Sequence, residues 1–313
     1  MELQEIVACP KCRNKLSATG PGWTCTNPAC TCGRVGFPYA GGQPVLVDFE
    51  RSVLRREDYG EVPPGQPREL DRSGSSPGIV GRFRTLVFGR NHVSEKKSTD
   101  LLCALKQRAA RARLLIIGGG EPGEGTARFY DDPSVETVAI SVFPSRYASF
   151  LTDPQQLPFI DGVFDGVWVQ ATLEHAIEPR QVIEEMRRVL KPGGVIFAET
   201  LFMMPVHEGA RDFVRYTLAG HRWQFRDFEP LDIGPLGGAG WALLWMIAYF
   251  WRALGLGDKP VLLLSAPFFW LRHCDRLMRS RPSGDAGIGF YFVGRKTDTA
   301  IRPRDVISYY ESQ

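Results

Sequence analysis

Between Asp153 and Thr200 the spacing of apolar positions changes period twice, and those changes mark out a strand, a helix and a second strand. Phe164 to Val169 is a short apolar run entered through the turn residues Asp161 and Gly162, the pattern of a strand buried on both faces. After Pro179, the apolar residues Val182, Ile183, Met186, Val189 and Leu190 fall at i, i+1, i+4, i+7 and i+8, one face of a 3.6-residue period. Glu184 and Arg188 sit four apart on the opposite face. Lys191-Pro192-Gly193-Gly194 ends the helix, and Val195 to Ala198 is the next buried strand. A strand, helix and strand of this length predict a parallel βαβ unit with a right-handed crossover.

The flanks extend the pattern. Arg113 to Ile117 followed by GGGEPGEG reads as strand, glycine-rich turn and helix start, and Thr137 to Ile140 as a further strand. Ser98 to Ala110 places Leu101, Leu102, Leu105 and Ala109 at helical spacing behind Ser98 or Thr99 as N-cap. Thr217 to Phe228 reads as a helix with His221 near its start, Ile288 to Gly294 as a late strand, and the chain from Lys296 as a polar tail. Gly60 to Gly81 has the glycine, proline and serine content of a linker, which puts a domain boundary there. Two uncharged stretches follow later. The helical parts, Trp241 to Trp251 and Val261 to Leu271, are too short to cross about 30 Å of hydrocarbon at 1.5 Å per residue. They read first as added core helices, second as a peripheral membrane contact through 241–271 beside Arg252, Lys259 and Arg272, or as a greasy acceptor pocket.

Composition narrows the class. The chain is 43% hydrophobic and 23% charged, with a net charge of +3 and both signs scattered, so there is no basic face and no nucleic-acid partner is expected. The start, MELQE, is acidic and runs straight into a cysteine pair, which offers no secretory signal and makes the cytoplasm the expected location. Five of the seven cysteines lie within the first 32 residues. Cys9 and Cys12 form a CxxC knuckle, and Cys25 with Cys30 or Cys32 supplies a second pair, of which Cys30 is preferred. Four thiolates make a closed structural Zn2+ site, and so short a segment hardly buries a core without metal.

LPF.DGVFDGV, LEH..EP and EEMRRVLKPGG, in this order and spacing, resemble the central motifs of class I S-adenosylmethionine-dependent methyltransferases of the small-molecule branch. The N-terminal segment resembles the zinc ribbon found ahead of some of them, down to its ending G.PVLVDF, and implies a docking or stabilising element with a protein partner as one use. The expected fold is α/β: a Rossmann-like, doubly wound, mostly parallel sheet with an antiparallel last strand, plus the small ribbon. The expected division is 1–50 ribbon, 51–94 irregular linker, 95–300 methyltransferase domain with an apolar helical insertion near 237–287, and 301–313 tail. The resemblance implies S-adenosyl-L-methionine contacts at Gly118, Gly119, Gly120, Gly123, Ser141, Asp153, Leu157 and Gln170, with Asp153 facing the adenine amino group. Ser141 departs from the family, in which an acidic residue near this strand end accepts bonds from the ribose hydroxyls; a hydroxyl pairs more weakly than a carboxylate. The first strand also ends in Ile116-Ile117 where many members carry an acid.

His175 must lie outside the carboxyl end of the central strand, where the ligand crevice of such a sheet opens. It reads either as a general base or as a residue that only hydrogen-bonds a neighbouring loop. HEG.RDF.RYT resembles the acceptor-contacting stretch of related enzymes, so His207 and Glu208 join His175 as catalytic candidates. Asp212 and Arg215 read as a salt bridge that holds this lid. The implied reaction is direct methyl displacement onto a small-molecule or lipid-like acceptor, accelerated by positioning and exclusion of water. The competing reading is a scaffold of the same architecture with a degenerate cofactor site. A nicotinamide enzyme is disfavoured by the lack of a strict GxGxxG and its downstream acid.

Overall fold

The computed structural model describes residues 3–19, 22–59, 78–278 and 285–311. Most of the linker expected between Gly60 and Gly81 lies outside them. The N-terminal part folds as two small hairpins, β1 (Leu16–Thr19) with β2 (Gly22–Cys25), and β3 (Tyr39–Ala40) with β4 (Gln43–Pro44). The main sheet holds β5 (Ala112–Ile117), β6 (Val135–Ser141), β7 (Phe150–Leu151), β8 (Phe164–Gln170), β9 (Leu190–Leu201), β10 (Phe228–Gly237) and β11 (Gly289–Lys296). Their spatial order is β10-β11-β9-β8-β5-β6-β7. From β9 to β7 every pairing is parallel, and β11 runs antiparallel between β9 and β10. The mostly parallel, doubly wound sheet with an antiparallel late strand is thus the fold this chain adopts.

Besides two short helical turns in the N-terminal part, Leu3–Ile6 and Thr31–Val35, the α-helices among the described residues are α1 (Ile79–Phe88), α2 (His92–Arg108), α3 (Ala127–Asp131), α4 (Pro179–Val189), α5 (Leu218–Gln224), α6 (Ala239–Ala253), α7 (Asp258–Ser265), α8 (Leu271–Cys274) and α9 (Pro303–Glu311). All six residues of β5 are buried, as a strand covered on both faces requires. Trp168 of β8 stacks on Phe197 of β9 with ring centroids 3.8 Å apart, and Phe129 of α3 meets it edge-on at 5.3 Å. Aromatic pairs of this kind add about 0.5–1.5 kcal/mol beyond area burial.

Four local expectations are corrected. α2 begins at His92, six residues before the expected cap, because the Asn91 side chain accepts from the Ser94 N–H and caps it there. α1 and the start of α2 occupy residues that read as irregular linker. β10 is a strand that no apolar alternation announced: Pro230, Gly234 and Pro235 interrupt it, which an edge strand with bulges tolerates. The polar tail contains helix α9.

The ribbon is packed against the domain. Val7 bridges Phe159, Val45 bridges Leu151 at the β7 edge, and the Leu46 N–H donates to the Leu151 carbonyl at 2.7 Å. Trp23 meets Phe150 edge-on at 6.1 Å, and Arg13 pairs with Glu185 of α4 at 2.8 Å. Ile6, Val7, Leu16, Trp23 and Leu46 accordingly belong to the same core as Phe159, Val167 and Ile183.

Candidate active site

At the carboxyl end of β5 the chain turns at Gly118 with φ +80°, a conformation open to glycine and costly for a side chain. Gly119 packs so tightly on β6 that a Cβ there would sit 2.8 Å from Ala139 Cβ, while its N–H donates to the Ile140 carbonyl at 2.8 Å. The turn opens on a cavity of about 840 Å³ lined by Gly118, Gly120, Ser141, Asp153 and Gln170 from the expected cofactor set. Gly119 and Gly123 are not on its wall: one abuts β6, the other faces the Gln170 amide. Leu157 is a correction. Its side chain is wholly buried in the core, its carbonyl accepts from Arg13 and Arg188, and it is not among the residues of the cavity wall.

On the Asp153 side, the carboxylate accepts from the Gln155 N–H at 2.9 Å and from the Ser52 hydroxyl. Val53 and Leu54, from the stretch expected to be linker, wall the cavity beside it. The Ser141 hydroxyl accepts from the Phe143 N–H at 3.1 Å. After β8, Ala171 adopts φ +45°, a strained conformation for a residue with a Cβ, and lines the cavity next to Thr172.

The cavity wall also carries His175, His207, Glu208, Arg211 and Phe213, so all three catalytic candidates line the same cavity as the glycine turn. The His175 Nδ1 lies 2.8 Å from the Arg211 carbonyl oxygen, and the rings of His175 and His207 are 5.2 Å apart at 73°. Burial, with a smaller contribution from His207, lowers the His175 pKa against the opposing pull of the Arg211 carbonyl, which favours a neutral imidazole. Asp212, held by Arg215 at 2.7 Å, accepts from the His207 N–H at 3.0 Å; the Arg215 bonds pull its pKa down to about 2. The lid is latched below by Phe213 and Val214, whose N–H groups donate to the Glu174 carbonyl, and above by Arg211, whose guanidinium lies 5.1 Å over the Phe143 ring.

Glu174 and Arg211 were not singled out in the sequence. Glu174 is fully buried behind the histidines, and burial raises its carboxyl pKa to about 8. An acid enclosed between Leu173 and His175 was the available signal. Arg211 carried none, since only the folded lid brings it over Phe143.

At the far end of the ribbon, Cys9 and Cys30 place their sulfurs 3.9 Å apart and Cys12 and Cys25 theirs 3.3 Å apart, and all four lie within 4.8 Å of one another. Four thiolates at about 2.3 Å from a tetrahedral zinc would be separated by about 3.8 Å, so the donor set fits that ion. Cys32 stays outside the group.

Comparison with known proteins agrees with this geometry. A family model described as a methyltransferase domain matches residues 132–198, from the loop before β6 through most of β9. Over that stretch the chain is similar to a methyltransferase domain. Among curated proteins, the methyltransferase domain is similar to malonyl-[acyl-carrier protein] O-methyltransferase of Enterobacter lignolyticus, 24% identical over 163 residues, 49% of this chain and 64% of that protein. It is also similar to 27-O-demethylrifamycin SV methyltransferase of Amycolatopsis mediterranei, 29% identical over 127 residues, covering 36% and 46%. The chain thus spans less than two thirds of either relative. Among solved structures, Haemonchus contortus phosphoethanolamine N-methyltransferase 2 in complex with S-adenosyl-L-methionine superposes with a TM-score of 0.43 at 17% identity, over 72% of this chain and 59% of that one.

Proposed function

We propose that this protein transfers the methyl group of S-adenosyl-L-methionine to an oxygen of a small-molecule or lipid-like acceptor. The observation that carries this reading is one cavity whose wall holds both the glycine turn and the His175–His207 pair. Gly118 and Gly120 let the backbone approach the methionyl part of the carrier, Ser141 pairs with the ribose, and Asp153 lies at the adenine end. When bound, the carrier supplies an activated methyl on a sulfonium. The carbon–sulfur bond breaks as the bond to the acceptor forms, the thioether leaves without a proton, and the acceptor's proton passes to an imidazole, that of His175 or His207. The lid over the cavity keeps water away and fixes the line of attack. Two relatives named for O-methylation support oxygen as the atom methylated.

Zinc on Cys9, Cys12, Cys25 and Cys30 would be structural, because a four-thiolate site leaves no open position. The ribbon's apolar residues are spent on this chain's own sheet, which supports stabilisation as its role.

The lipid-like acceptor is favoured by α6 and α7. Leu243, Met246, Phe250, Leu254 and Leu263 are about half or more exposed there, with Trp270 about half exposed as well, while Lys259 is exposed among them and Arg252 is paired with Asp258 at 2.7 Å. No helix among the described residues is long and apolar enough to cross a membrane, so this face would lie on the surface of one. The test is transfer of labelled methyl from S-adenosylmethionine to fractions of a cell extract. Label in the organic-solvent fraction, lost in His207→Ala, is the expected outcome; no label in any fraction would favour the scaffold reading.

A further inference from the structure

Behind the lid lies a group of side chains that general-base chemistry leaves partly unexplained. One carboxylate oxygen of Glu174 and one ring nitrogen each of His175 and His207 lie within 4.8 Å of one another. Glu174 is completely buried, and neither of its carboxylate oxygens has a hydrogen-bond partner among the described residues. A buried carboxyl with no partner is costly unless something binds it.

The histidines are set up from behind. A carbonyl oxygen only accepts, so the His175 Nδ1 facing Arg211 carries the proton and Nε2 keeps its lone pair. The His207 Nδ1 lies 3.3 Å from the Asp212 carboxylate, which Arg215 holds in place, and this leaves the His207 Nε2 equally available. An imidazole whose far nitrogen donates to a carboxylate or a backbone carbonyl is the arrangement found around metal-ligating histidines. Two imidazoles and one carboxylate suit first-row divalent ions and leave coordination positions open.

We propose that Glu174, His175 and His207 hold a first-row divalent cation at the acceptor end of the cavity, and that an oxygen of the acceptor completes its coordination. With the cation bound, the imidazoles serve as its ligands in place of the general base; the cation lowers the pKa of that oxygen so that its proton is lost to water as it enters, and the carbon–oxygen bond then forms as the carbon–sulfur bond breaks. This role rests on the methyl-transfer reading, whereas binding of the cation does not.

The experiment is a Co2+ titration of the full-length protein with its thiol site already filled by zinc, followed by visible d–d absorption. The expected result is one equivalent of Co2+ with no thiolate-to-cobalt charge-transfer band. Loss of uptake is expected in His207→Ala, which alters a partly exposed residue and leaves the melting transition in place. Asp212→Asn, which weakens the partner of the His207 imidazole together with the Arg215 pair, should weaken uptake roughly tenfold to a hundredfold. No uptake by the parent protein, or equal uptake by Glu174→Gln, would overturn the proposal, since a neutral amide would then serve as well as the carboxylate. Calorimetry with S-adenosylmethionine on the same samples separates a failed cation site from a failed cofactor site.

Discussion

The two ends of the main sheet carry the same kinds of residue and treat them in opposite ways. Beyond β7, the ribbon lays Val7, Trp23, Val45 and Leu46 against the domain, and none is more than 8% exposed. Beyond β10, the helices α6 and α7 hold Phe250 at 57% and Leu263 at 68%. Apolar side chains satisfied within the chain speak of stability. The same side chains held out to solvent, on helices that already bury Leu244, Ala248 and Val261 beneath them, speak of a surface outside the chain. One flank is covered, and the other leaves its apolar side chains exposed.

Three perturbations bear on that contrast, in decreasing order of effect. If the four thiolates hold zinc as proposed, Cys9→Ser, or treatment with a chelator, is expected to lower stability by at least about 3 kcal/mol, on the order of 10 °C in a thermal melt. A melt that does not move would show that apolar packing alone holds the ribbon. On the other flank, the pair Phe250→Glu and Trp270→Glu should leave the melt nearly unchanged and weaken binding to anionic vesicles by at least about tenfold, since each buried aromatic is worth about 1.5–3 kcal/mol. Unchanged vesicle binding would remove the contact face from the account.

The smallest effect concerns the buried side of the β11 flank. His221 of α5 is fully buried among Phe225, Phe290 and Phe292, and burial pushes its pKa down to about 3, with Arg222 adding to the effect. The native state therefore refuses a proton that the unfolded chain takes up below its ordinary value of 6.5. Stability from this residue is complete above that pH and falls by up to about 1.4 kcal/mol per unit as the pH drops toward 3. His221→Leu should flatten the melting temperature between pH 6.5 and 5; an equally steep profile would assign the acid sensitivity elsewhere.

The parallel strands, helix α4 and the glycine turn were legible in the sequence because each follows from a period or from a residue that only one backbone conformation accommodates. The cysteine group was legible for a similar reason, as metal ligation demands close pairs. β10 was not, because an edge strand paired on one side tolerates Pro230, Gly234 and Pro235, which erase its alternation. Leu157 was misplaced since a motif gives the order of residues and not the side to which each points. Glu174 and Arg211 acquire their surroundings only when the lid closes over residues more than thirty positions away, which no local pattern encodes.

The central claim is that the cavity beside Gly118 receives the methyl carrier, and isothermal calorimetry with S-adenosylmethionine on the zinc-loaded protein tests it most directly. The account expects one saturable site, abolished by Gly118→Val, where φ +80° and the neighbouring Thr172 hydroxyl leave no place for a side chain. No heat of binding from the intact protein, or the same affinity in Gly118→Val, would contradict it.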